Sequence, residues 1–208
     1  MPCDERIAHD LTPLLTKEFG ISPDYAPDDL TPLADHAPAG LRIGQTILVR
    51  EVIVEPLLAM LTEMQEAGLQ PLIYSAYRSY RTQVATYGQW TRLYPERGPF
   101  LSAPAGHSEH QLGTTLDFGS PELAKIVGSQ VRFHPDFAKT SEGLWLQAHA
   151  HEFGFTLSYP DGATDITGYY YEPWHYRYVG TELATLLHEQ GASLTEYLST
   201  TQPAPCTP

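Results

Sequence analysis

The chain is poor in cysteine, lysine and long apolar runs. Its 208 residues include two cysteines, Cys3 and Cys206, and three lysines among twelve basic residues. The cysteines stand at opposite ends, so neither reads as a nucleophile or a metal ligand. Because chain termini often lie close together, a disulfide and a pair of free thiols both remain open. No stretch of about 18 apolar residues occurs, which excludes a transmembrane helix. Met1-Pro2-Cys3-Asp4-Glu5-Arg6 has no apolar segment, so no signal peptide is visible. The formal charge of −13 leaves no basic face for nucleic acid and no polybasic membrane anchor.

Several catalytic motifs are also missing. His151-Glu152 and His188-Glu189 could each open a His-Glu-x-x-His zinc motif, but the second histidine is replaced by Phe155 and Ala192. There is no Ser-x-x-Lys, no Gly-x-Ser-x-Gly and no glycine-rich phosphate loop. His149 and His151 lie two apart on a predicted helix and so diverge. They, with His9, His36, His134 and His188, read as structural.

What remains is an ordinary globular composition, 42% hydrophobic with 13 tyrosines, of a length that suits one domain. Residues 1–45, rich in Pro, Asp and Ala, predict a loop-rich arm packed on the domain, with a short helix near 5–18. Val52, Leu57, Leu58, Leu61 and Met64 predict an amphipathic helix over 48–67, stopped by Gly68. A strand is predicted over 70–77 and a helix from the Ser79 cap to about Tyr94. A Pro/Gly loop follows over 95–108 and a strand over 113–118, then an irregular excursion over 119–139. Further on, the patterns predict a helix over 141–153 closed by Gly154 and a strand over 155–159. A Pro-Asp-Gly turn falls in 160–167, a bulged strand or strand pair over 168–178, and a helix over 181–190 ended by Gly191. The expected fold is α+β, a small, mainly antiparallel sheet flanked by helices. The main domain is expected to span 46–200, with a flexible tail over 201–208.

Two segments carry chemistry. Gly106-His107-Ser108-Glu109-His110-Gln111-Leu112-Gly113-Thr114-Thr115-Leu116-Asp117 and Glu172-Pro173-Trp174-His175 together supply two imidazoles, one ligating carboxylate and one spare carboxylate. That is the inventory of a catalytic zinc site with an open fourth position and a general base beside it. Gly113 allows the tight turn that brings His110 and Asp117 to one point. Pro173 makes an extended segment more plausible than a helix, so a bend must aim Glu172 and His175 inward. Taken singly, each pair is weak, since a His near an Asp is more often a surface or capping pair.

The combination is more specific. Ser75-Ala76-Tyr77-Arg78-Ser79-x3-Gln83, the His110/Asp117 segment, Trp145-Leu146, Gly154-Phe155 and Thr167-Gly168-Tyr169-x2-Glu172-Pro173-Trp174-His175-Tyr176-Arg177-Tyr178-Val179-Gly180 resemble the VanY-type zinc D-alanyl-D-alanine carboxypeptidases, within the group of hedgehog-like zinc folds. The likeness runs from about Tyr25 to Leu198. It implies that His110, Asp117 and His175 bind one Zn²⁺ and that Glu172 is the catalytic base. It also implies that Arg78 holds the oxyanion or the substrate backbone, that Ser79, Gln83 and Ser108 hold the C-terminal end of a peptide, and that Trp174 walls the pocket. Thr115-Leu116, Phe118-Gly119 and His149-Ala150-His151 depart from the family pattern and touch packing and substrate preference more than the metal.

The bottom-up alternatives stand beside this. Ser79 serves equally as an N-cap, Arg78 as a surface ion-pair partner, and Trp145, Trp174 and Tyr169 to Tyr171 as core and cleft wall. The expected activity is removal of a C-terminal D-Ala from peptidoglycan stem peptides by a monomer. The rival readings are an L,D-carboxypeptidase, a D-Ala-D-Ala dipeptidase, an endopeptidase, and a non-catalytic zinc-containing binding module, for which a spare Glu172 would have no use. Such substrates lie outside the membrane, so an export signal removed from the chain is favoured over a cytoplasmic location.

Overall fold

A computed structural model describes residues 10–38, 43–44 and 46–201 of the protein. Both cysteines and the tail beyond Thr201 lie outside the described residues. A two-stranded antiparallel ribbon pairs β1 (Leu30–Pro32) with β2 (Leu48–Arg50). A four-stranded antiparallel sheet follows the order β3 (Leu72–Ser75), β4 (Thr115–Gly119), β6 (His175–Tyr178), β5 (Phe155–Leu157). The longer helices are α1 (Val54–Glu66), α2 (Tyr80–Leu93), α5 (Ser141–His149), α7 (Thr181–Gln190) and α8 (Leu194–Thr201). Short helical turns cover α3 (Gly98–Leu101), α4 (Leu123–Val127) and α6 (Thr164–Thr167). The architecture is the expected α+β with a small antiparallel sheet.

Strand alternation sorts the central strands into two faces. Leu116, Phe118 and Tyr176 point into the main core, where they join Leu57, Met60, Leu61 and Met64 of α1 and Leu146 of α5. The intervening residues Asp117, His175 and Arg177 therefore face the other way and are buried there. Register then pairs them: Asp117 stands opposite His175, Thr115 opposite Arg177, and Ser75 opposite Asp117 across a bulge between Ile73 and Ser75.

Local signals account for several element ends. Ser79 caps α2, its Oγ accepting from the Thr82 amide at 3.3 Å. Gly154 and Gly191 close their helices as expected. Three expectations need correction. The helix expected over 48–67 starts only at Val54, because Leu48–Arg50 pairs with β1 and Pro56 is tolerated only in a first helical turn. The helix near 5–18 is absent among residues 10–18. The Leu11 and Pro13 carbonyls there accept from the Arg177 guanidinium at 3.1 and 2.9 Å instead of from a helical turn. The strand expected over 168–178 is reduced to His175–Tyr178, since residues 169–174 form an irregular wall.

Gly143, in the first turn of α5, packs so closely that an added Cβ would lie 2.1 Å from the Phe137 carbonyl oxygen. Gly88, midway along α2, would meet nothing within 4 Å. Gly143→Ala is expected to lose about 1–3 kcal/mol of stability through overpacking. Gly88→Ala is expected to gain roughly 0.5–1 kcal/mol from reduced unfolded-chain freedom and better helix propensity. Denaturant melts of the two variants should therefore shift in opposite directions.

Candidate metal centre and cleft

The site is assembled from three pieces of chain. The first is the 3₁₀ turn Glu109–Leu112, which carries His110 and ends at Gly113 with φ +74°. A side chain at Gly113 would also strike Arg50 Cγ at 2.9 Å, so both conformation and space call for glycine. The second piece is β4, which carries Asp117. The third is the turn Glu172-Pro173-Trp174-His175, closed by a 3.0 Å bond from the His175 amide to the Glu172 carbonyl. Pro173 occupies a position whose amide is not needed, and the turn aims Glu172 and His175 at the same point. This is the bend that the sequence required.

His110, Asp117 and His175 each offer one ligand atom, and these atoms lie within 4.8 Å of one another. His110 Nε2 is 3.1 Å from Asp117 Oδ2, and His175 Nδ1 is 3.1 Å from Asp117 Oδ1. The outer nitrogens orient the rings. His110 Nδ1 donates to the Ala76 carbonyl at 2.7 Å, which leaves Nε2 as the ring atom directed at the carboxylate. His175 Nε2 donates to Glu109 Oε2 at 3.0 Å, which directs Nδ1 to the same place. Two nitrogens and a carboxylate oxygen converging in a buried spot fit a borderline cation such as zinc, and each imidazole is backed by an acceptor on its far side.

The electrostatics agree. Burial raises the Asp117 carboxyl, but His110 and His175 outweigh it and hold the group well below the usual carboxylate range. Burial lowers His175, yet its bonds to Asp117 and Glu109 push the imidazole up to about 10, so a positive charge is favoured at this point. His110 is lowered by burial. Glu109 is raised by burial, but the Arg177 guanidinium, 2.8 Å away, and His175 bring it down to about 2. Glu172 goes the opposite way: burial, with the nearby Asp117 and Glu109 charges, raises it to about 8 against the pull of His175 and Arg78. Its Oε2 lies 3.6 Å from His175 Nδ1.

These groups open onto a cavity of about 790 Å³, within the range of small-molecule sites. Arg78, Gln83, Ser108, Glu172 and Trp174 all line it. Arg78 is 3.7 Å from Asp117 Oδ2, and its fork is fixed by bonds to Gln83 Oε1 at 2.8 Å and Ser75 Oγ at 2.9 Å. Gln83 is fully buried and donates onward to Ser102 Oγ and the Ala103 carbonyl, so it braces Arg78. Ser79 is not part of the lining; its hydroxyl is used for the helix cap. Trp174 stands 5.4 Å from Phe133, forming an aromatic wall.

Sequence reasoning assigned no role to Glu109, Arg177 or Tyr159. Tyr159 lies with its ring 4.7 Å from that of His175. Arg177 had one available signal: it falls two residues after His175 and so shares its face of a strand.

The residues 46–181 match the VanY family model, D-alanyl-D-alanine carboxypeptidase. The chain belongs to this family. It is 30% identical over 190 residues to a D-alanyl-D-alanine carboxypeptidase of Enterococcus faecium, covering 89% of this chain and 56% of that protein. The chain thus spans little more than half the length of that curated relative. Among solved structures it is similar to the LdcB LD-carboxypeptidase, with a TM-score of 0.76 and 30% identity over 91% of this chain and 86% of that one. It is also similar to a VanY D,D-pentapeptidase in complex with Zn(II), with a TM-score of 0.63 and 28% identity over 78% of this chain and 93% of that one.

Gln83→Leu is expected to leave the Ser102 and Ala103 acceptors without their donor, at a cost of about 1–3 kcal/mol, and to release the Arg78 fork. A thermal melt unchanged from wild type would refute the bracing role.

Proposed function

We propose that the protein is a zinc-dependent D,D-carboxypeptidase that removes the C-terminal D-Ala from peptidoglycan stem peptides. The observation that carries this is the half-buried Glu172, held in the same turn as His175 and left outside the convergent His110/Asp117/His175 donor set. A purely structural or binding metal site has no use for such a carboxylate. The reading gains support from the chain's family and from the similarity to a Zn(II)-containing VanY.

His110 Nε2, an Asp117 oxygen and His175 Nδ1 would hold one zinc ion. When bound, the ion supplies a water of lowered pKa and polarises the scissile carbonyl. Glu172, in its ionised form, would accept a proton from this water and pass it to the departing amide nitrogen. The C–O bond forms as the C–N bond breaks, so free D-Ala leaves and the shortened peptide ends in a carboxylate. Arg78, preorganised by Gln83 and Ser75, donates to the oxygen on which negative charge collects. Ser108 and Trp174 line the remaining cleft and orient the peptide. Such a substrate places the site of action outside the cytoplasmic membrane. Among the described residues no helix is long and apolar enough to cross one.

A second reading, cleavage of a tetrapeptide at its L,D bond, is supported by the similarity to the LdcB LD-carboxypeptidase. Mass spectrometry of zinc-loaded protein incubated with muramyl pentapeptide, muramyl tetrapeptide and free D-Ala-D-Ala separates the two. Loss of one D-Ala from the pentapeptide, abolished by a chelator, is the expected result. Trimming of the tetrapeptide instead selects the L,D reading, and cleavage of none of the three overturns both. Glu172→Ala is expected to abolish nearly all turnover while zinc still binds.

The ionised Glu172 is the active form, so kcat/KM should rise with pH through its pKa. The metal-free environment puts that value at about 8, and a neighbouring cation draws it down. The acidic limb is therefore expected below pH 8 and should disappear from the residual rate of Glu172→Gln.

A further inference from the structure

We propose that the N-terminal arm is a working part of the metal centre, acting through Arg177 and Glu109 as positioning residues that lock the ring of His175. The inference rests on the zinc reading above. It extends that reading to residues 10–29, which precede the stretch matched by the family model.

The connection is continuous. Leu11 and Pro13 give their carbonyls to Arg177 Nη2 at 3.1 and 2.9 Å. Arg177, 1% exposed, donates from Nη1 to Glu109 Oε1 at 2.8 Å. Glu109 accepts from His175 Nε2 with its other oxygen at 3.0 Å. One carboxylate thus bridges a guanidinium and an imidazole, and the guanidinium is anchored by the arm. A metal-binding histidine needs its far nitrogen held in this way, because the outer acceptor fixes both tautomer and ring orientation. His110 obtains the same service from the Ala76 carbonyl, inside the domain. For His175 the chain of anchors ends in the arm.

The arm also grips the loop that leads to Glu109 and His110. The Ile21 amide donates to the Gly106 carbonyl at 2.8 Å, and His107 Nδ1 donates to the Thr16 carbonyl at 2.8 Å. Gln111 Nε2 donates to the Ser22 and Tyr25 carbonyls, each at 3.0 Å. Lys17 places its ammonium 4.0 Å from the ring centre of Phe100 and 5.3 Å from that of Tyr169, a residue of the cavity wall. Two backbone carbonyls fix Arg177 without adding a competing charge, so Glu109 stays committed to Arg177 and His175. An arm serving only as a cover would need none of these polar contacts to converge on one side of the site.

The test is zinc affinity of the full chain, measured by competition with a chromophoric chelator, alongside the visible bands of the cobalt-substituted protein. Glu109→Gln keeps the shape but removes the charge, and is expected to weaken zinc binding roughly 10–100-fold and to shift the cobalt bands. Gly20→Ala acts from the arm alone, since its Cβ would meet the Gly106 carbonyl oxygen at 2.8 Å and His107 Cε1 at 2.9 Å. It is expected to weaken zinc binding about tenfold, within the same range, although it touches no ligand. Circular dichroism of the metal-free proteins identifies variants that keep the native fold. Arg177→Met, which strands a buried carboxylate, is paired with Glu109→Gln so that no uncompensated charge remains. Unchanged affinity and cobalt bands in folded Gly20→Ala overturn the role of the arm, and the same result in folded Glu109→Gln overturns the role of the relay. A wild-type chain that takes up no zinc would overturn the metal reading itself, which separates the two failures.

Discussion

Asp117 and His175 stand directly opposite each other on neighbouring antiparallel strands, and the site depends on that register. A slip of one residue would turn both side chains into the apolar core and bring Leu116 and Tyr176 out in their place. The register is held because the core face is equally demanding: Leu116, Phe118 and Tyr176 are buried against α1 and α5. Hydrophobic packing on one face of the sheet therefore fixes polar geometry on the other. The remaining groups are placed relative to this pair. His110 arrives from a turn that Gly113 ends, Glu172 from the turn that leads into β6, and Arg78 from just beyond Ser75, the β3 partner of Asp117.

Burial by itself would raise every carboxyl in the cleft, and the neighbours decide where each one ends. Glu109 faces a guanidinium and an imidazole and is held at about 2. Glu172 has His175 and Arg78 only at longer range, with Asp117 and Glu109 working against them, and rises to about 8. Three carboxylates within one small volume thereby acquire different characters: a charged anchor, a candidate ligand, and a group able to exchange a proton near neutral pH. Separation of this kind is how one environment supports both binding and proton transfer.

Much of this was legible in the sequence, for local reasons. Helix ends depend on one or two residues, so Ser79 and Gly191 marked theirs correctly. The two motif segments held the triad and Glu172 because each is short enough for a turn to close. Features set by distant partners were not legible. Leu48–Arg50 reads as the start of a helix until β1 is available to pair with it. Residues 10–18 are expected in a helix, yet the Leu11 and Pro13 carbonyls are taken by a guanidinium from the far end of the chain. Glu109 looks like a neighbour of His110, and nothing in its spacing points to His175, 66 residues away.

That span between anchor and anchored has a consequence for the order of events during synthesis. Leu11 and Pro13 leave the ribosome 166 and 164 residues ahead of Arg177. Chains emerge at roughly 5–20 residues per second, so these two carbonyls wait many seconds for the guanidinium of Arg177. Until β6 has been made and paired, Glu109 has neither its counter-charge nor its histidine, and the donor triad lacks its third member. Completion of the site is therefore a late event in vectorial folding, gated by the C-terminal quarter of the chain.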